Sequence, residues 1–211
     1  MSGWPLDLLD WKRRVNEMYR LARLAGGSLD GLIAFRASKD ALFRDHPQSP
    51  LTQDARQTFA GLPYFDHRPE LRMECTIESA IDDVAADIAL PVLSGDGVRA
   101  RRIGHVQPTV DGAPVRLAIY WLDGYGGGLF IPFRDAAAGS ETYGAGRYLL
   151  DTVKGADLGT CADGTRVVID FNYAYNPSCA YDPTWVCPLA PFENRLDIPI
   201  RAGESISKTH G

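Results

Sequence analysis

The sequence predicts an α+β fold that is mainly β: an antiparallel β-sandwich or barrel-like domain with an N-terminal helical hairpin and a Pro-rich C-terminal loop. Apolar side chains recur at helical spacing up to about residue 45, and from residue 61 onward their period changes to two. Between residues 174 and 199, five prolines exclude a long helix or a central strand. Strands do not alternate with long helices, which disfavours a doubly wound nucleotide-binding fold.

The first helix is predicted over residues 5–25, where apolar side chains follow one another at intervals of three and four. These side chains are Leu8, Trp11, Val15, Met18, Ala22 and Ala25. Gly26-Gly27 ends this helix, and Ser28 begins a second one that passes through Ile33, Ala37 and Phe43 and stops before Pro47. Each apolar stripe needs cover, so the hairpin is expected to pack on the later sheet or on a second copy of the chain in a homo-oligomer.

Alternating apolar and polar residues predict the strands that follow. Leu71, Met73, Cys75 and Ile77 give the first, and residues 84–90 repeat the pattern. Further strands are predicted at residues 98–110, 115–121, 128–133, 147–150 and 165–172. Ser94–Gly97 and Asp111-Gly112 are turn signals between strands. This short, regular spacing is typical of antiparallel sandwiches and barrels.

The last long segment is expected to wrap over the β-domain, because it is too apolar for a solvated linker. Its large side chains are Tyr175, Tyr181, Trp185, Val186, Leu189 and Phe192.

The composition excludes several classes of protein. A chain of 211 residues with 45% hydrophobic residues can form one folding unit, in which residues 1–60 pack on a β-domain of residues 61–211. A net charge of −5 argues against binding to nucleic-acid phosphates. The sequence has no apolar run of about 18 residues, as a membrane span needs, and no signal-peptide pattern. We therefore expect a soluble cytoplasmic protein with neither a nucleic-acid nor a membrane partner.

Cysteine and histidine patterns predict no metal site. Cys75 and Cys161 are isolated, and the seven residues between Cys179 and Cys187 do not fit a zinc motif. We expect all four thiols to be reduced, since a reducing compartment disfavours disulfides. Cys179 is a candidate nucleophile if a base lies nearby.

The densest set of polar residues lies between Ile131 and Tyr148 and continues at Asp170 and Asn172. Its candidates for binding a ligand are Arg134, Asp135, Tyr143, Arg147, Asn172, Tyr175, Asn176 and Asn194. Because Val167, Ile169 and Phe171 share one strand face, Asp170 and Asn172 emerge on the other. There they can meet the segment from Arg134 to Arg147, and an ionised Asp170 beside arginine would have a lowered pKa. An ion-paired scaffold that orders long loops is the alternative interpretation.

Several ordered runs in the chain resemble the family of domain of unknown function 1684. They are Ile131-Pro-Phe-Arg-Asp135, Glu141-Thr-Tyr-Gly-Ala-Gly-Arg-Tyr148, Ile169-Asp-Phe-Asn-Tyr-Ala-Tyr-Asn-Pro-Ser-Cys-Ala-Tyr181 and Cys187-Pro-Leu-Ala-Pro-Phe-Glu-Asn-Arg-Leu196. Runs within residues 35–65 extend the resemblance over nearly the whole chain, while Ala136–Ala138 and Tyr173 depart from the family pattern. The resemblance implies one shared site but no established activity and no known cofactor.

Three functions remain open at this stage. The first is binding of a small polar or anionic ligand beneath the C-terminal loop. The second is a hydrolase-like enzyme, with Asp170 or Glu141 as general acid or base and arginines that stabilise negative charge. Cys179 is a further candidate, as the nucleophile of such an enzyme. The third is a structural protein that oligomerises through its N-terminal helices.

Overall fold

The first 45 residues of the chain contain the predicted helical hairpin. The computed structural model describes residues 4–79 and 87–206. Helix α1 spans Pro5–Leu24, α2 spans Leu29–Asp45, and the short α3 spans Gln53–Gln57. Ser28 caps α2, since its hydroxyl accepts a hydrogen bond from the Gly31 N–H at 3.2 Å. Within the described ranges, no helix is long and apolar enough to cross a membrane.

In the ranges that the structure describes, ten antiparallel strands follow the helices and confirm the predicted α+β fold. They are β1 Arg72–Thr76, β2 Glu78–Ser79, β3 Asp87–Leu90, β4 Val98–Val106, β5 Thr109–Val110, β6 Ala113–Pro114, β7 Leu117–Leu122, β8 Gly128–Phe133, β9 Arg147–Asp151 and β10 Arg166–Asp170. Short 3₁₀ turns at Thr152–Lys154, Phe171–Tyr173, Ser178–Ala180 and Phe192–Asn194 shape the later connections. The predicted strand positions Val84 and Ala86 lie outside the described residues.

The strands form one large sheet and two small ones. The six-stranded sheet has the order β2-β4-β7-β8-β9, and β3 pairs with another part of β4. Strands β1 and β10 pair as a separate ribbon, and β5 pairs with β6 across the predicted Asp111-Gly112 turn. Asp111 and Gly112 have φ angles of 51° and 78°, which fit the tight hairpin turn that this dipeptide favours.

The main core lies between the β1–β10 ribbon and one face of the six-stranded sheet. The ribbon contributes Cys75, Val167 and Ile169, and the sheet contributes Leu117, Ile119, Ile131 and Phe133. A second cluster covers the opposite face of the large sheet around Tyr120, Phe130 and Tyr148. With apolar groups on both faces, β7 is buried on successive residues instead of alternating ones.

The helical hairpin packs on the outer face of the ribbon. Val168 and Tyr173 join a cluster with Met18, Tyr19 and Phe35 of the two helices. Val168 faces this cluster while Val167 and Ile169 face the main core, as expected for successive residues of a strand. The β1–β10 ribbon therefore forms a middle layer, with helices on one side and the large sheet on the other.

The buried faces of the two helices differ from the predicted apolar stripes at several residues. Met18 is buried, but Leu8 is 46% exposed, so the start of the α1 stripe is not covered within this chain. The expectation that a second copy covers it stays a prediction. In α2, Ile33 is 55% exposed, and the buried face holds instead Leu32, Phe35, Lys39, Leu42 and Phe43. Lysine on the buried face concealed the true stripe, because periodicity arguments assign lysine to solvent.

The Pro-rich C-terminal loop covers the sheet less completely than its apolar content suggested. Tyr175 and Tyr181 are partly buried, whereas Val186 and Phe192 are 58% and 83% exposed. The residues of this segment that are buried most deeply are small or polar: Ala174, Asn176, Cys179, Cys187, Ala190 and Asn194.

A glycine close to the end of the described chain allows two segments to approach closely. Gly203 has a φ of +74°, and a Cβ built there would lie 2.4 Å from the Ala174 carbonyl oxygen and 2.7 Å from that of Phe171. Gly164 has a similar φ of +71°, but open space surrounds it. Alanine substitutions at Gly164 and Gly203 therefore distinguish the cost of backbone strain alone from the added cost of a steric conflict.

We predict that Gly164→Ala lowers the free energy of unfolding by about 1–2 kcal/mol, the cost of a left-handed non-glycine residue. Gly203→Ala should cost a further 1–3 kcal/mol or so, because the methyl group overpacks the contact with Ala174. Urea unfolding of both variants measures the difference. Equal losses would contradict the assigned close approach.

Candidate functional site

Arg147 lies at the centre of the polar residues that the sequence singled out. It is 1% exposed, and its guanidinium is surrounded by acceptors from the protein itself. Nη2 donates to Asp135 Oδ2 at 2.8 Å and to the Ile200 carbonyl at 2.7 Å, while Nη1 donates to the carbonyls of Ala202 and Glu204 at 2.6 and 2.8 Å. Burial lowers the pKa of Arg147, and Asp135 opposes the shift. This predicted ligand residue thus holds the C-terminal segment in place.

The neighbouring candidates bind other parts of the fold. Asp135 also accepts hydrogen bonds from Thr142 and the Ala137 N–H, which order the turn that follows β8. Arg134 Nε donates to the Gly144 carbonyl at 2.8 Å. Glu141 forms a two-point ion pair with the partly exposed Arg201.

Asn194 is fully buried between β7 and β8. Its side-chain amide exchanges hydrogen bonds with the Ala118 backbone and donates to the Pro132 carbonyl at 2.7 Å. All three of these contacts are to backbone groups, so the side chain joins the C-terminal loop to the large sheet.

Asp170 and Asn172 lie side by side, as the strand geometry predicts, and they are hydrogen-bonded to each other. Asp170 Oδ1 accepts hydrogen bonds from the Asn172 N–H and Nδ2, both at 2.9 Å. Among the described contacts, no hydrogen bond or ion pair joins Asp170 to Arg134 or Arg147. Burial raises the pKa of Asp170, opposed first by the Asn172 hydrogen bonds and then by Arg72 and His67. The expectation that the pKa of Asp170 is lowered is therefore wrong, because its burial raises the pKa.

A pocket opens where the C-terminal loop crosses the helical hairpin. It has a volume of about 100 Å³, and its apolar wall consists of Trp11, Val15, Met18, Phe35, Leu42 and Phe43. Tyr175, Asn176, Ser178 and Tyr181 of the loop form the facing wall. Of the predicted binding residues, Tyr175 and Asn176 line this pocket. Tyr143 is not among the lining residues, and its hydroxyl donates to the Cys179 carbonyl at 3.2 Å.

A buried ion pair borders the pocket through Lys39, which is one of the lining residues. The Lys39 ammonium donates to Glu204 Oε1, and the Lys39 side chain is 11% exposed. The same ammonium lies 4.8 Å from the Tyr175 ring centroid and 5.4 Å from that of Phe43. Glu204 Oε2 accepts hydrogen bonds from the Asn176 N–H and the Tyr181 hydroxyl, each at 2.7 Å.

Polar groups of the side chains around this ion pair can still form hydrogen bonds. Asn176 is 5% exposed, and its Oδ1 is a buried acceptor without a hydrogen-bond partner in the described structure. Burial raises the pKa of Tyr175 and of Tyr181 well above the ordinary value, so both phenols keep their protons. The Tyr175 hydroxyl lies 3.4 Å from Asp151 Oδ2, and burial raises the pKa of Asp151.

Sequence reasoning missed Lys39, which lines the pocket, and Glu204, its buried partner. A signal for Lys39 exists: it follows Leu32 and Phe35, and precedes Leu42, at intervals of three and four, so it lies on the helix face that is buried. Glu204 gives no comparable local signal, because contacts with residues far away in the sequence determine its burial.

Metal-binding residues do not cluster in the described parts of the chain. No group of three or more histidine, cysteine, aspartate or glutamate side chains lies close enough there to hold a metal ion. The pocket instead offers an ammonium, an amide oxygen and neutral phenols as polar groups.

We predict that Arg147→Met lowers the free energy of unfolding by about 3–5 kcal/mol, because it leaves the Asp135 carboxylate buried without its cation. Arg201→Met is the matched control: it removes a partly exposed pair with Glu141 and should cost no more than about 1 kcal/mol. Chemical unfolding compares the two. Similar small losses would show that Arg147 does not hold the C-terminal segment.

Asp170→Asn should stabilise the protein at neutral pH. A raised pKa means that the folded state holds the proton more tightly, so this group's contribution is present at low pH and lost as the pH rises through the folded pKa. Asparagine does not ionise, so the variant does not lose stability as the pH rises. Each kcal/mol gained in the free energy of unfolding should raise the melting temperature by about 2–4 °C. The gain should disappear toward pH 4.

The control for this pH dependence is Asp96→Asn, which changes an exposed turn carboxylate. Melting curves of both variants and of the unchanged protein between about pH 4 and pH 8 provide the comparison. A lower melting temperature for Asp170→Asn at neutral pH would indicate that the carboxylate pairs with a cation.

Comparison with other proteins adds the family but no activity. A family model described as "Protein of unknown function (DUF1684)" matches residues 57–205. The chain is also similar to an uncharacterised protein from gene locus rrnAC0354 of Haloarcula marismortui, whose structure was solved by solution NMR, with 34% sequence identity and a TM-score of 0.60. The alignment covers 86% of this chain and 95% of that one. A search of curated proteins gave no match. The chain belongs to the DUF1684 family of proteins of unknown function.

Proposed function

We propose that the protein binds a small organic anion, with an apolar body and one carboxylate-like group, in the pocket beneath the C-terminal loop. The observation that carries the proposal is the polarity of the pocket. Among the described residues that line it, Lys39 and Lys154 are the charged ones, and no carboxylate shares the lining. A pocket with cationic and apolar walls suits a ligand of the opposite charge.

Glu204 does not cancel the attraction of Lys39 for such a ligand. Three donors already surround its carboxylate: the Lys39 ammonium, the Asn176 N–H and the Tyr181 hydroxyl. The Lys39 ammonium has three N–H donors, and Glu204 is the partner that accepts one of them. The ammonium also lies 4.8 Å from the Tyr175 ring centroid and 5.4 Å from that of Phe43, and a ligand oxygen can compete for its remaining donors.

Asn176 adds a requirement for a donor on the ligand or on a bridging water. Its Oδ1 is buried beside the pocket without a partner, and a buried acceptor left unsatisfied costs about 1–3 kcal/mol. A bound carboxylate that carries an ordered water, or a neighbouring hydroxyl, would satisfy both Lys39 and Asn176. Hydroxy acids therefore fit the polar end better than simple fatty acids do.

The volume limits the size of the ligand. A cavity of about 100 Å³ compares with about 150 Å³ for a cavity that holds benzene. Short aliphatic carboxylates and their hydroxy derivatives fit this space. Longer chains exceed this volume and would have to extend beyond the pocket.

We predict that short carboxylates raise the melting temperature of the protein, whereas alcohols and amines of equal size do not. A ligand that binds only the folded state stabilises it by mass action, by about 2.7 kcal/mol at a concentration one hundred times its Kd. Acetate, propionate, butyrate, lactate and 3-hydroxybutyrate are the probes, at constant ionic strength. Calorimetric titration then gives their Kd values.

The variant Lys39→Met should lose this binding, whereas Lys12→Met, an exposed position on α1, should keep it. Because Lys39→Met leaves Glu204 buried without a cation, the double variant Lys39→Met/Glu204→Gln provides a stable comparison. Equal shifts with carboxylates and alcohols, or full binding by the double variant, would contradict the proposal.

A further inference from the structure

Helix α1 has exposed leucines at both of its ends. Leu6 and Leu9 lie near its beginning, and Leu21 and Leu24 lie near its end; Leu6 is 60% exposed and Leu24 is 74% exposed. Leu6 and Leu24 are about five full helical turns apart, so they point in the same direction. Val15 lies halfway between them on the opposite side of the helix, where it packs against the cluster between the helices and the ribbon. The leucines therefore face away from the core of their own chain.

The rest of the chain contacts α1 beside this outer face and leaves the face itself open. Arg23 donates to the Asp157 carbonyl on one flank of the helix. On the other flank, Asp10 Oδ2 lies 3.3 Å from His46 Nε2, directly after α2. At about 100° per residue, these two contacts lie on opposite sides of the direction in which Leu6 points.

The charges of the outer face are arranged symmetrically about Val15, with opposite signs at equal distances. Asp10 and Arg20 are each five residues from Val15, and Arg13 and Glu17 are each two residues from it. Arg13 and Glu17 lie within about 20° of the direction of the leucines at the two ends, and Asp10 and Arg20 lie within about 40° of it. Each acid on this face therefore has an arginine at the mirror position of the same helix.

The ion pairs that some of these charges form within the helix are exposed. Arg14 pairs with Asp10, and Arg20 pairs with Glu17, through side chains that are 47–61% exposed. Exposed pairs of this kind contribute little to stability, so an approaching charge can join them or replace them. Arg13 is exposed, and in the described part of the chain it forms no hydrogen bond or ion pair.

We propose that two copies of the chain associate through these outer faces, with their α1 helices antiparallel and centred on Val15. Each residue then lies level with the residue of the second copy that is equally far from Val15 on its other side. The residues that lie level with one another are Leu6 with Leu24, Leu9 with Leu21, Asp10 with Arg20, and Arg13 with Glu17. The interface is therefore apolar at both ends and oppositely charged near its centre.

The charge pattern favours a second copy in this orientation over other occupants. A parallel pair of helices would place Arg13 level with Arg13 and Glu17 level with Glu17, and like charges at close range oppose association. An uncharged apolar partner would cover the leucines but would leave the acids and arginines between them without partners. The same helix in the reverse direction provides both the leucines and the opposite charges at matching positions, as a two-fold interface requires.

The size of the interface predicts a dimer that dissociates on dilution. Helix α1 has 20 residues, and such a helix is about 30 Å long. One helix from each copy gives a small interface, so association is expected at micromolar concentrations.

Sedimentation equilibrium of the full chain between about 1 and 200 μM tests the association. We expect the average mass to rise from that of one chain toward that of two. Leu24→Ala removes a leucine from both ends of the symmetric interface and should raise the Kd of the dimer at least about tenfold. Leu93→Ala, at an exposed position outside the helices, is the matched control and should leave the Kd unchanged. A monomer at all concentrations, or equal Kd values for the two variants, would overturn the proposal.

Charge reversal tests the pairing at the centre of the interface. Arg13→Glu and Glu17→Arg should each weaken self-association at least about fivefold, because each brings like charges together twice. A mixture of the two variants should associate again, because the introduced acid of one meets the introduced arginine of the other. Self-association of each variant as strong as that of the unchanged protein, or a mixture as weak as its components, would contradict this pairing.

Cysteine crosslinking determines the orientation of the helices. A mixture of Leu6→Cys and Leu24→Cys should form a disulfide-linked dimer on mild oxidation, whereas Leu24→Cys alone should not. In the antiparallel pair, the two copies of residue 24 are about 27 Å apart along the helix axis, and a disulfide needs Cα atoms within about 7 Å. The four native cysteines are buried and provide the background in the unchanged protein. Faster crosslinking of Leu24→Cys alone than of the mixture would indicate parallel helices and would exclude the proposed interface.

Discussion

The buried guanidinium of Arg147 is the constraint on which the polar interior depends. Its hydrogen bonds hold the carbonyls of Ile200, Ala202 and Glu204 against β9, while Asp135 supplies the compensating charge. Taking an arginine out of water is expensive, and several well-placed acceptors are needed to offset the cost. The cation therefore requires one particular path of the C-terminal segment, and it excludes alternative paths that would leave its Nη donors unpaired.

That path determines the position of the pocket. Once Arg147 holds the Glu204 backbone, and Gly203 lets it approach Ala174, the Glu204 side chain reaches Lys39 on α2. A second buried ion pair thus connects the helical hairpin to the same segment. Both cations contact residue 204: Arg147 donates to its carbonyl, and Lys39 donates to its carboxylate. Glu204 therefore links the buried charges of the β-domain to those of the helices.

Local patterns in the sequence were sufficient for the fold class and for the main elements. Helical periodicity and the Gly26-Gly27 stop predicted α1, and period-two alternation predicted β1, because each signal arises within a few consecutive residues. The α2 stripe was wrong at Ile33 because the buried face includes a lysine, whose charge is stabilised by a residue 165 positions away. Asp170 shows the same limitation: its strand face was predicted, but its neighbours across that face depend on how separate layers pack. Partners that are distant in sequence carry no local signal.

The long sequence separation of the Lys39–Glu204 pair has a consequence for how the chain folds during synthesis. Helix α2 leaves the ribosome early, and its buried lysine has no compensating charge until a residue 165 positions later has been made. Domains rich in such distant contacts fold slowly, and their intermediates expose apolar surface for longer. The helical hairpin can form its own backbone hydrogen bonds at once, but it can dock with its charges paired only after Glu204 emerges. Assembly of the protein is therefore expected to be late and concerted.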